Sequence, residues 1–158
     1  TCNMWINLRC KKQWNNDMAS EYQTADDIFE CKLCGDCCKG FGGTYVSGAD
    51  IEKIAAFIDA DAKKFTAMYC DPSGSRFVLT RGEDGCCIFF DKEKQCTIHP
   101  VKPYMCRAWP FIKPVIRQPE NWNAMANSCP GMKKDIPATD LKRIVTLEKK
   151  TLDKAVKE

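Results

Sequence analysis

Four cysteines fall within eight residues, at Cys31, Cys34, Cys37 and Cys38, and this cluster constrains the fold more than any other feature of the chain. A C-x-x-C-x-x-C loop turns three thiolates toward one point, as iron–sulfur loops do. Cys38 directly follows Cys37, so we expect its side chain to point away from that place and to serve a second, neighbouring centre. Packed free thiols explain so dense a cluster poorly, whereas metal ligation explains it well.

The chain has twelve cysteines among 158 residues. No apolar run approaches the ~18 residues of a membrane helix, and the polar, basic N-terminus does not resemble a signal peptide. We therefore expect a cytoplasmic protein with no membrane partner, whose cysteines are metal ligands or redox groups rather than disulfides. The net charge of +3 is small and its cations are dispersed, which does not indicate a nucleic-acid partner.

Four further cysteines lie downstream, so that eight in all suffice for two four-cysteine sites: Cys87, Cys96, Cys106 and Cys129. Pro130 follows Cys129, as proline follows the remote ligand of bacterial ferredoxins, but the absence of a second C-x-x-C-x-x-C argues against a ferredoxin fold. Zinc and iron–sulfur centres both accept all-cysteine coordination, so both remain open. The three-cysteine loop and the Cys37–Cys38 pair favour iron–sulfur.

Several short helices and one long helix are predicted. Ser47 and Asp50 form a capping box before a helix whose buried face has helical spacing, with Ile51, Ile54, Ala55 and Ile58. Asp61 can cap a second helix, after which residues 71–74 break the chain. Further short helices are expected from Pro103 and over residues 120–127. A long amphipathic helix is expected from Thr139, with apolar positions as far as Val156.

Residues 76–80, 87–90 and 96–98 favour β-structure around a polar turn, which predicts a small β-hairpin. We expect an α+β fold: a small, irregular, metal-stabilised domain with short helices, a β-hairpin and a long C-terminal helix. Its expected organisation is an N-terminal extension packed on the core (residues 1–30), a cysteine-cluster metal-binding domain (31–132) and a C-terminal amphipathic helix (133–158).

The chain resembles the YkgJ-type CxxCxxCC family, which is described as a zinc- or iron-chelating and Fe–S-cluster-containing domain, over about residues 31 to 132. The matching motifs are Cys31-x-x-Cys34-Gly35-x-Cys37-Cys38-x-Gly40, the Ser47/Asp50 helix start, Cys87-Ile-Phe-Phe-Asp91, Cys96-Thr-Ile98, Lys102-Pro103, Cys106-Arg107, Pro110-Phe111, Trp122 and Cys129-Pro130-Gly131. The resemblance implies eight metal ligands: Cys31, Cys34, Cys37, Cys38, Cys87, Cys96, Cys106 and Cys129. Lys102 replaces the usual Arg before Pro, and His99 replaces a common aromatic residue; both changes leave the thiolates intact.

We therefore expect one or two Fe–S clusters of the 4Fe-4S type, serving in electron transfer or as an accessory redox subunit with a redox partner protein or larger complex. The alternative is a zinc- or iron-binding structural or metal-handling protein without redox turnover. An electron carrier or accessory protein is expected rather than an enzyme. The flagellin lysine methylase shares the cysteine motif, but this chain lacks a glycine-rich nucleotide-binding signature.

Several residues outside the eight predicted ligands can be interpreted in two ways from the sequence. Cys2, Cys10, Cys70 and Cys86 lie outside the family pattern, and we do not expect them to form another site. His99 is expected to pack structurally rather than to serve a cysteine nucleophile. Arg107, beside Cys106, can either donate hydrogen bonds to cluster sulfur or pair with a carboxylate.

Overall fold

The computed structural model describes residues 20–39 and 43–155. Seven α-helices are present in this part of the chain: α1 (Ala25–Ile28), α2 (Gly48–Phe57), α3 (Ala62–Tyr69), α4 (Tyr104–Ala108), α5 (Lys113–Arg117), α6 (Glu120–Ala126) and α7 (Ala138–Ala155). Five strands accompany them: β1 (Tyr45–Val46), β2 (Cys70–Ser73), β3 (Arg76–Leu79), β4 (Phe90–Asp91) and β5 (Gln95–Cys96). Short 3-10 helices span Asp36–Lys39 and His99–Val101. The predicted α+β class is confirmed.

The strands form two small antiparallel sheets. In the first sheet, β3 lies between β1 and β2, and Pro72 on β2 stands opposite Phe77. The chain break predicted at residues 71–74 is wrong, because Asp71–Ser73 belong to β2 and the turn begins at Gly74. A proline fits this strand since β2 is an edge strand, where the missing N–H is not needed. Of the three segments predicted around the hairpin, residues 76–79 form β3 of the first sheet instead, and the observed hairpin is the second sheet, in which β4 pairs with β5.

The N-terminal caps predicted for α2 and α3 are both observed. The capping box of α2 is confirmed: Asp50 N donates to Ser47 Oγ at 3.1 Å, and Ser47 N donates to Asp50 Oδ2 at 3.0 Å. The Asp61 side chain caps α3 by accepting from Lys63 N. Helix α5 is not predicted, because its Pro114 marks a break in sequence; proline is well accommodated in the first helical turn.

The buried side chains divide into two clusters. The sheet core consists of Val46, Ile54, Ala55, Phe65, Cys70, Leu79, Phe89 and Ile98. The helical core gathers α5, α6 and α7 around the end of α1, with Ile28, Phe111, Val115, Trp122, Ala126, Met132, Ile136, Leu141, Ile144 and Val145. Cys87 and Cys96 pack against the sheet core, and Cys129 packs against the helical core.

Residues 1–19, 40–42 and 156–158 lie outside the described part, and with them most of the predicted N-terminal extension, Cys2, Cys10, Gly40 and Val156. The division of the chain after residues 30 and 132 stays a prediction. No helix among the described residues is long and apolar enough to cross a membrane.

Candidate metal centre

The start of the cysteine motif is held against the segment that follows Cys129. Phe29 and Met132 form an isolated antiparallel bridge, and Glu30 N donates a hydrogen bond to Gly131 O at 2.9 Å. A Cβ atom on Gly131 would lie 2.1 Å from Glu30 O, so this close approach requires glycine. The pairing brings the two segments together, and Cys34 and Cys129 are near enough for their charges to interact.

The end of the motif is held against the β4–β5 hairpin. Cys87 N donates to Cys38 O at 2.9 Å, and Cys38 N donates to Gly35 O at the same distance. Gly35 has a φ of +80°, and a Cβ there would lie 2.3 Å from the Phe90 ring. A side chain is therefore excluded at Gly35 both by its backbone conformation and by the aromatic ring against it.

Helix α4 carries Cys106 to the same place. Tyr104 N, at the start of α4, donates to Asp50 Oδ1 at 3.1 Å, so the carboxylate that caps α2 also fixes α4. The Cys106 thiol lies 3.7 Å from Thr44 Oγ1, next to strand β1. On its other side, the Tyr104 hydroxyl donates to Asp153 and accepts from Lys149 Nζ at 3.1 Å, which joins α4 to α7.

Five of the eight predicted ligands line one cavity of about 30 Å³: Cys37, Cys38, Cys87, Cys96 and Cys106. Apolar side chains of Leu79, Phe89 and Ile98 form much of its wall. Cys37 and Cys38 both line this one cavity, so the expectation that their side chains point to separate places is wrong. Both residues lie in the 3-10 helix Asp36–Lys39, and the hydrogen bond from Cys87 N to Cys38 O holds this helix beside the cavity.

The other three predicted ligands do not line this cavity. Cys31 interacts electrostatically with Cys96, and Cys34 does so with Cys129, which packs against the helical core. The expected convergence of the three C-x-x-C-x-x-C thiols is thus not seen at this cavity, because the backbone turns at Leu33 and Gly35, with φ of +55° and +80°, before the 3-10 helix begins at Asp36. Whether all eight cysteines are ligands stays a prediction.

The thiols differ in how readily they ionise. The hydrogen bond from Cys38 lowers the pKa of Cys37 to about 6, and the Lys102 ammonium group acts in the same direction. Donating that bond raises the pKa of Cys38. Burial raises the pKa of Cys87 and of Cys96, and raises that of Cys106 to about 11. Because burial favours the protonated thiols, a metal that binds here has to displace their protons.

The donor set matches a soft metal. Thiolates select zinc, cuprous ion and iron–sulfur clusters, and the described residues that line the cavity include no histidine and no carboxylate. As they stand, no three His, Cys, Asp or Glu side chains within residues 20–39 and 43–155 form a group that could hold a metal ion. Metal binding here requires the thiols to move closer together than in this conformation.

The remaining candidates lie outside this cavity. Cys70 is buried in the sheet core, where burial raises its pKa to about 11, and Cys86 is buried with its N–H bonded to Asp84. His99 Nε2 is buried with no hydrogen-bond partner among the described residues, and burial lowers the pKa of this side chain. Arg107 forms no ion pair with a described carboxylate, and its buried Nε is also unpartnered. The carboxylate-pairing interpretation of Arg107 is not supported.

Two features of the site could not be predicted from the sequence. The contact from Asp50 to Tyr104 spans 54 positions, and nothing local to either residue indicates it. The placement of Lys102 in the cavity lining is likewise tertiary. Its position before Pro103, where the family usually carries another cation, is the one signal that pointed to it.

Comparison with known proteins identifies the family. Residues 30–130 match the CxxCxxCC family, described as a "putative zinc- or iron-chelating domain", and this range includes all eight predicted ligands. An uncharacterized protein of Methanocaldococcus jannaschii is 30% identical over 84 residues, which cover 52% of this chain and 44% of that relative. No solved structure matches the chain significantly. Because the family match extends over well over half of its length, the chain belongs to the CxxCxxCC family of zinc- or iron-chelating domains.

Proposed function

We propose that this protein binds an iron–sulfur cluster through its cysteines and exchanges electrons with a redox partner. The observation that carries the proposal is that five thiols surround one cavity with an apolar wall, since four cysteines are the usual ligand set of a [2Fe–2S] or [4Fe–4S] cluster. Cys37, Cys38, Cys87, Cys96 and Cys106 would hold it, with Cys31, Cys34 and Cys129 beside them. The cluster would supply a one-electron redox change, and the chain supplies ligands, shielding and charge.

The surroundings of the cavity favour this role. Leu79, Phe89 and Ile98 shield one side, and apolar shielding is one of the properties that set the potential of an iron–sulfur cluster. On the other side, Cys31, Cys34 and Cys37 are exposed. A cluster held at this edge would lie near the surface, where a partner protein could approach it.

A zinc or single-iron site without redox turnover is the second candidate, and the size of the cavity favours it. A volume of about 30 Å³ is near the share of one water molecule in liquid water. A space of this size admits one ion, around which the thiols have to move closer together, whereas a cluster of several iron and sulfide ions needs a larger space. In this role the metal would stabilise the fold or be carried by it.

Metal analysis of protein purified without oxygen separates the two candidates. We expect iron and acid-labile sulfide in near-equal amounts, a visible charge-transfer spectrum and a reversible reduction in the intact protein. Zinc in stoichiometric amount, with no sulfide and no colour, would replace the electron-transfer role by the second candidate. Protein that takes up neither iron nor zinc under reducing conditions would contradict both.

A further inference from the structure

A metal bound in this cavity would leave an excess of negative charge. A bound metal requires ionised thiolates, and four or five thiolates outweigh the charge of one divalent ion. The wall is apolar, so the excess negative charge is poorly solvated unless a cation lies close by. The structure should therefore contain a positive group that faces the thiols.

Lys102 occupies that position. Of the described residues that line the cavity, it is the one that carries a positive charge, and none is a carboxylate. Its ammonium group acts on both the Cys37 and the Cys96 thiols and favours their ionised forms. The backbone before the fully buried Pro103 is extended, with φ −45° and ψ 140°, as is usual for a residue that precedes proline.

The charge of Lys102 is not neutralised elsewhere. Lys102 forms no hydrogen bond or ion pair with any residue in the described part of the chain, in contrast to Lys32, Lys39 and Lys149, which pair with carboxylates. It is half-buried, so water screens its field less than that of a surface lysine. A half-buried, unpaired cation costs free energy unless it meets negative charge, and a metal–thiolate centre supplies that charge.

We propose that Lys102 is the cation that balances the thiolate charge of the cavity, and that it thereby sets how tightly the cavity holds a thiophilic metal. This inference rests on the proposed metal-binding function and assigns a binding role to a residue that is not itself a ligand. For an iron–sulfur cluster, the same charge favours the reduced form, which is the more negative one. Lys102 then raises the reduction potential.

The test compares the parent protein with three variants at Lys102 and one variant at another lysine. Lys102→Met and Lys102→Gln remove the charge, Lys102→Arg keeps it, and Lys92→Met removes the same charge from the exposed β4–β5 turn. Zn²⁺ is titrated into the reduced apo-proteins in competition with a chelating dye. We expect about tenfold weaker binding in the two neutral variants, because the cavity loses the one cation in its described lining that offsets the negative charge of the bound metal centre; tenfold corresponds to about 1.4 kcal/mol. Lys102→Arg and Lys92→Met should bind as the parent protein does.

The second measurement is the reduction potential of the cluster. If the protein contains an iron–sulfur cluster, the neutral Lys102 variants should lower its potential by about 59 mV, which corresponds to a tenfold change for a one-electron couple. Equal zinc affinity in Lys102→Met, Lys102→Gln and the parent protein would overturn the inference and leave the proposed function intact. So would equal losses in Lys102→Arg and Lys102→Met. A parent protein that binds no metal would contradict the proposed function itself.

Discussion

Gly131 shows how one residue controls the approach of two cysteine-bearing segments. The backbone of Glu30 passes so close that a Cβ on residue 131 would lie 2.1 Å from its carbonyl oxygen. The neighbouring atoms are backbone, which cannot move aside as a flexible side chain can. A residue with a side chain is therefore excluded at position 131 by the backbone of Glu30.

A Gly131→Ala variant should be destabilised by about 2 kcal/mol, within the range found for overpacked sites. Urea unfolding measures the change in the free energy of unfolding. Gly48→Ala is the matched control, since a Cβ there meets nothing within 4 Å. We expect this control to be neutral or slightly more stable, because alanine favours the helix at the start of α2. Equal effects in the two variants would contradict the steric argument.

At Cys106, thiol chemistry can be separated from packing. Cys106→Ser preserves the size of the side chain and its contact with Thr44, but replaces a soft ligand by a hard one. We expect this variant to lose most of its bound metal, as determined by elemental analysis. Cys70→Ser should retain the metal, because Cys70 is buried in the sheet core and does not line the cavity. Parallel metal loss in both variants would indicate unfolding rather than loss of a ligand.

The sequence identifies the cysteines more readily than it predicts their orientation. Spacing and resemblance single out the eight, because both are properties of the chain order. That Cys37 and Cys38 face one cavity depends on a 3-10 helix and on the Cys87 N–H that bonds the Cys38 carbonyl. Such a turn is fixed by tertiary contacts, and for this reason the opposite orientation was expected.

At the scale of elements, α2 and α4 are joined through one carboxylate. Asp50 is buried and accepts hydrogen bonds from Ser47 and from Tyr104 N. The first contact is local and was predicted from the capping-box pattern. The second places the beginning of the cysteine-bearing helix α4, and it required the fold to be known.

Removing this carboxylate should cost more than removing the hydroxyl of the same capping box. Ser47→Ala loses one cap, at about 1 kcal/mol. Asp50→Ala also leaves the Tyr104 N–H without its partner, so we expect a total loss of about 3 kcal/mol in urea unfolding. Ser75→Ala, in the exposed β2–β3 turn, provides the control and should be nearly neutral. If Asp50→Ala costs no more than Ser47→Ala, the link between α2 and α4 contributes nothing to stability.

Two prolines lie inside regular elements that local sequence patterns did not predict. Residues 71–74 were expected to break the chain and no helix was predicted around Pro114, yet Pro72 lies in a strand and Pro114 in a helix. Their tolerance depends on position: an edge strand in one case and a first helical turn in the other. Neither position can be read from a short window of sequence.

At the scale of the whole molecule, the predicted ligands connect two separate cores. Cys87 and Cys96 pack against the sheet core, whereas Cys129 packs against the helical core. The α+β class was predictable from patterns along the chain. The two-core arrangement was not, because it depends on contacts such as Phe29 with Met132, which are distant in sequence.

Cys106 lies on α4, which is bonded to α7 through Tyr104, whereas Cys87 and Cys96 pack against the sheet core. A metal held by these three cysteines ties the two cores together, so its removal should uncouple them. In the metal-bound protein we expect the amides of Ile54 and Ile144, one from each core, to exchange hydrogen in a single cooperative opening. After removal of the metal by a chelator under reducing conditions, their opening free energies should diverge. Hydrogen exchange measured at both residues tests this directly. Protection factors that fall equally would show that the cores are coupled by packing alone.

The edges of the three-stranded sheet have a consequence for the behaviour of the protein in concentrated solution. One edge, β1, has only two residues, and the other, β2, contains Pro72, which has no N–H to offer. Short edges and edge prolines deprive an incoming strand of backbone partners. The sheet thus resists extension by a strand from another molecule, which disfavours edge-to-edge aggregation.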